Sequence, residues 1–162
     1  MRRLNGWLVA GALAVGCTAP EAGAQVVLCD DADDYLVSEA SMTTVVELDT
    51  IDDWRTDQVV EGCRITAAGL TRSSLRLQSR RFFDGLPGSG WSRTPDPQDA
   101  PNESSIRFRK NDVDCLFSFY SGGLLGTDAE FEVDDAVVPG PRERRYNFLV
   151  QCMPAMEASP PQ

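Results

Sequence analysis

Histidine is absent from the chain, and lysine occurs once, as Lys110. The first absence removes the usual general base, the usual zinc ligand and the side chain that switches charge near neutral pH. The Ser-His-Asp and Cys-His arrangements of nucleophilic catalysis go with it. Lys110 stands outside any S-x-x-K context. No C-x-x-C pair occurs, so redox and zinc-ribbon chemistry lack their motif. Gly85, Gly88 and Gly90 do not have the spacing of a phosphate-binding glycine loop. Asp30, Asp31, Asp33 and Asp34 lack the glycine and terminal glutamate of a calcium loop. The sequence therefore names no catalytic residue, and none of its motifs calls for a metal or a cofactor. Paired carboxylates remain as a possible hydrolytic device, but a chain with 25 acidic residues places some pair close together by chance.

Long apolar runs are also missing. The one run that stands out, Gly6 to Gly16, has eleven residues, against the roughly 20 a spanning helix needs. It follows Arg2 and Arg3 and precedes Ala22-Gly23-Ala24. Charge, apolar core and small-residue site in that order describe an export signal over 1–24, cleaved before Gln25. Pro20 separates the apolar helix from the cleavage segment. A second reading competes. Leu13-Ala14-Val15-Gly16-Cys17 resembles a bacterial lipobox, although leucine is usual where Ala14 stands; it would end the signal at residue 16 and make Cys17 a lipid anchor. Periplasmic or secreted, with an outer-membrane lipoprotein as the alternative, is the expected location.

Either reading takes Cys17 out of the five cysteines. Cys29, Cys63, Cys115 and Cys152 remain, an even number in an oxidising compartment, so two disulfides are expected. Three pairings are possible. Cys29 and Cys63 lie in the N-terminal half, and Cys115 and Cys152 in strand-like segments further on, which favours Cys29–Cys63 and Cys115–Cys152. Each closes a loop of over 30 residues, worth about 3–4 kcal/mol in the chain-entropy picture.

Periodicity supplies the elements of a single domain over 25–153. Val26-Val27-Leu28-Cys29 reads as a short strand, and Asp30–Asp34 as a solvated run capping a helix near Tyr35–Met42. Val45–Leu48 and Val59–Ala67 read as strands. Leu75, Ser79, Phe82, Phe83 and Leu86 share one helical face, with Ser73 or Ser74 as N-cap and Gly85-Leu86-Pro87 as terminator. The Gly88–Ser104 loop is long and rich in Gly, Pro and Ser; Trp91, which also reads as the start of a short strand, and Arg93 are its candidate binding residues. Ile106/Phe108 and Cys115/Phe117/Phe119 alternate on either side of Lys110-Asn111-Asp112, a hairpin. Asp128, Glu130, Glu132 and Asp134 alternate with apolar residues, which reads as an exposed strand face in preference to a Ca²⁺ site. Tyr146, Phe148, Val150 and Cys152 mark the last strand, and 154–162 reads as a disordered tail. The fold class expected is α+β: an antiparallel sheet covered on one face by one main amphipathic helix.

Charge is segregated along the chain. From Glu21 to Gly62 there are twelve acids and one base, Arg55; from Cys63 to Asn111 there are nine bases and four acids. The overall charge of −10 disfavours nucleic acid and suits a basic protein partner. Arg76, Arg80 and Arg81, off the apolar face of the expected helix, are the one candidate anion site, although exposed helical arginines are usually just solvated. The functional expectation is a non-enzymatic binding or structural domain of the bacterial cell envelope. An inhibitor of a cationic extracellular enzyme such as lysozyme and a carboxylate-dependent hydrolase are the alternatives.

Overall fold

A computed structural model of the protein describes residues 22–94, 104–123 and 125–156. Cys17, nearly all of the expected signal segment, most of the proline-rich loop and residues 157–162 lie outside that range. The elements run α1 (Ala22–Asp34), a π-helical turn (Tyr35–Glu39), β1 (Thr43–Asp53), β2 (Gln58–Thr71), α2 (Leu75–Gly85), a 3-10 turn (Leu86–Ser89), β3 (Ser92–Arg93), β4 (Ser105–Lys110), β5 (Val113–Tyr120), α3 (Asp128–Ala136) and β6 (Arg144–Pro154). The strands form one antiparallel sheet in the order β1-β2-β6-β5-β4-β3.

Alternation along the strands divides the sheet into two faces. One face carries Cys63, Ile65, Ala67, Phe108, Phe117, Phe148 and Val150, all buried with Phe82, Leu86, Cys29 and Leu36 in the main core. The aromatic centre is dense: the Phe82 ring stacks on Phe148 at 3.9 Å between centroids and meets Tyr35 edge-on at 5.2 Å. The opposite face packs Ala68 and Val45 against Val133 and Val137, the inner side of α3 and the residue after it. Among the described residues there are thus three α-helices, with α1 and α2 on one face and α3 on the other, where the sequence suggested one face covered by one main amphipathic helix. Both predicted disulfides are present. Cys29–Cys63 ties α1 to β2, and Cys115–Cys152 joins directly opposed positions of β5 and β6.

Local sequence explains where the elements start and stop. Ser74 caps α2 by accepting from the Leu77 amide. Gly85 is not its terminator: it stays right-handed, the chain continues into the 3-10 turn, and Gly90 takes the left-handed conformation at φ 86°. Gly85 is instead small because a Cβ there would come within 2.7 Å of the Tyr35 hydroxyl.

Two segments read as strands are helices. Val26–Cys29 belongs to α1; Cys29, Ala32 and Leu36 fall at i, i+3 and i+7 and all are fully buried. The acidic run is therefore the outer side of a helix whose inner side is Ala32, and a four-residue apolar run was too short to separate the two periods. Asp128–Asp134 lies in α3, nucleated by Thr127, which accepts from the Glu130 amide. Glu130 in turn accepts from the amides of Leu125 and Gly126, closing a variant of the capping box. At the other end, Ala155 donates to Asp112 and the Met156 carbonyl accepts from Arg109, so the tail is tied at least that far.

Candidate functional site

The sheet order turns the charge pattern of the sequence into a spatial one. β1 is one of the two edge strands, paired with β2 alone among the described residues, and α1 packs on both. The acid-rich stretch therefore folds into one flank of the molecule. Asp30, Asp34 and Glu39 are exposed on α1 and the turn after it, and Asp52 and Asp57 on the β1–β2 hairpin. Apolar side chains sit among them: Leu48 is 45% exposed and Val59 68%. A shallow cleft of about 220 Å³ is lined by Leu48, Asp49, Thr50 and Glu61. A second, of about 310 Å³, opens between α1 and the start of β3, with Asp31, Asp34, Glu39 and Lys110 on its walls. Asp31 is held there by Lys110 at 2.7 Å and Asn111 at 3.0 Å.

The one base of the acidic stretch does not neutralise this flank. Arg55 turns inward, with 4% of its side chain exposed. It donates to both oxygens of Asp53 at 2.8 and 2.9 Å and to Asp114 at 3.1 Å. Asp114, fully buried, also accepts from Arg109 at 2.6 and 2.9 Å. Arg107 completes the cluster, with its guanidinium 4.9 Å from the centre of the Trp54 ring. Burial alone would raise the Asp114 carboxyl; the hydrogen bonds from Arg109 and Arg55, and their charges, outweigh it and hold the group below the usual carboxylate range. At Asp53, burial is likewise outweighed by the bonds and charge of Arg55, with Arg107 assisting. Against its own desolvation, Arg55 is pushed up by the hydrogen bonds and charges of Asp53 and Asp114.

Sequence reasoning missed this cluster. Arg107 and Arg109 alternate with Ile106 and Phe108 and carry no signal of their own, yet Arg107 is 1% exposed because the second face of the sheet is covered too. The available signal was Asp114, an acid on the same alternation as Leu116, paired in register with Arg109.

The remaining predicted site residues are dispersed. Trp91 is a core residue, edge-on to Phe117 at 5.4 Å, with the Lys110 ammonium 5.8 Å over its ring. Arg93 is exposed on the two-residue edge strand β3. Of the acidic stripe on α3, Glu130 is buried as a cap and Asp134 binds Arg145 at 2.6 Å and Asn147 at 2.9 Å. Among the described residues no group of three or more acids or cysteines is arranged to hold a metal ion, and no helix is long and apolar enough to cross a membrane.

The chain matches no family model, no curated protein and no solved structure at a significant level.

Proposed function

We propose that this is an exported, non-enzymatic binding domain of the bacterial cell envelope, which docks a basic protein on the flank built from α1, β1 and β2. The inward turn of Arg55 carries the reading: it leaves Asp52 and Asp57 exposed near Leu48 and Val59, and Asp49 half-buried at the strand edge, all three with no ion-pair partner among the described residues. Acids of one sign around exposed apolar side chains steer a cationic partner in and give it surface to bury. Inhibition of a cationic wall hydrolase is the specific form this takes. The rival hydrolase reading has less support, because the buried carboxyls of Asp53 and Asp114 are both pushed down and bound to arginines, the opposite of a general acid. The two disulfides support export to an oxidising compartment. Intact mass of the exported product separates cleavage before Gln25 from lipidation of Cys17.

Binding to hen lysozyme as a basic probe tests the reading. Retention at low salt, lost on raising ionic strength severalfold and lost in the variant Asp49→Asn/Asp52→Asn/Asp57→Asn, is the expected result. No retention at low salt, or equal retention by the variant, overturns it.

A further inference from the structure

We propose that β1 takes an added strand, an extended segment of a basic protein that pairs with its open edge. The inference rests on the reading of the acidic flank as a docking surface, and names how the partner is held there. Of the two edges of the sheet, the one at β3 is two residues long. The other, β1, runs for eleven residues and pairs with β2 without a slip from Thr43↔Ala68 to Asp53↔Gln58. Short length, proline, lysine and bulges are the usual devices that blunt an exposed edge. β1 has none of them.

One hydrogen bond fixes the direction of the backbone. The Thr50 amide donates to the Asp49 carboxylate at 2.8 Å, so it points away from β2. Amides alternate in direction along a paired strand, and those of Val46, Leu48 and Asp52 therefore point the same way. They have no acceptor among the described residues. Val46 packs against the main core and Val45 against the α3 side. Alternation then puts Asp52 and Leu48 on the first face and Asp49 on the second, so the edge carries acid on both. On the first face, Leu48, Thr50 and Glu61 line the cleft of about 220 Å³, with Asp49 at its rim. It gives a side chain of the added strand a place to enter. Two copies of β1 would set Glu47, Asp49 and Asp52 against like charges, which destabilises a ladder. A segment with arginine or lysine meets opposite charges instead. Main-chain bonds hold such a segment, and the cleft and the acids select it.

A synthetic peptide tests this, matched to β1 in length and built from arginine, valine and threonine, with arginines on both faces when extended. At low ionic strength it is expected to slow hydrogen exchange at the Val46, Leu48 and Asp52 amides and to leave Ser92 and Arg93 on the other edge unchanged. The same peptide N-methylated on its central amides keeps the charge and loses the donors, and is expected to bind about tenfold more weakly. Leu48→Pro removes an outward donor from the protein, at an edge position where proline is tolerated, and is expected to weaken the unmodified peptide severalfold. If that variant loses amide dispersion, the methylated peptide on the parent protein decides. Equal affinity for both peptides, or binding without protection of those three amides, overturns strand addition and leaves the charged flank standing. Lysozyme retained at low salt with no peptide bound does the same, and retention of neither overturns both readings. Sedimentation of the protein alone is expected to show a monomer. A dimer that protects the same amides assigns the edge to a second copy and overturns the proposal.

Discussion

Asp114 has no contact with water and two arginines on its oxygens. Removing one member of such a cluster leaves buried charge uncompensated, so Asp114→Ala is expected to cost about 3–5 kcal/mol in urea denaturation. The pH dependence has a definite sign. The folded carboxyls of Asp53 and Asp114 lie below their unfolded values. Their contribution is therefore complete above the unfolded value of about 4 and is lost as pH falls through the lower folded value. Asp114→Asn is expected to be less stable than the parent at pH 7 and to lose less on going to pH 2. Parallel curves would reject the assignment. None of this was legible at residue scale, since alternation in β4 separates two faces without saying which meets solvent, and here neither does fully. The cysteine pairing was legible, because compartment and position along the chain are both sequence properties.

At the scale of elements, the hairpin around Asn111 and the amphipathic face of α2 were readable, because turn chemistry and a long 3.6-residue period are local signals. α3 was not. Acids at alternate positions mimic a strand, and what decides for helix is Thr127 with Glu130 three residues on, together with burial of Ala129, Val133 and Val137. Thr127→Ala is expected to destabilise by about 1 kcal/mol, with early loss of protection in residues 128–136 by hydrogen exchange. Phe82→Ala removes the ring that contacts Tyr35, Phe117 and Phe148, and about 3–5 kcal/mol is the expected loss.

For the whole molecule, the Cys29–Cys63 bond spans a sequence separation of 34 and holds α1 against the sheet. Replacing both cysteines by serine is expected to lower stability by about 3 kcal/mol, with α1 exchanging amide hydrogens faster than β5 and β6. The acidic flank was legible as composition but not as a surface. Its existence depends on β1 being an edge strand, which no local pattern specifies.

β6 comes last of the strands along the chain yet lies in the middle of the sheet, between β2 and β5. Nothing synthesised earlier can bridge those two strands in its place. Until residues 144–154 are delivered, the sheet itself consists of two separate ladders, β1–β2 and β3–β5. Late closure of this kind makes folding slow and dominated by long-range contacts.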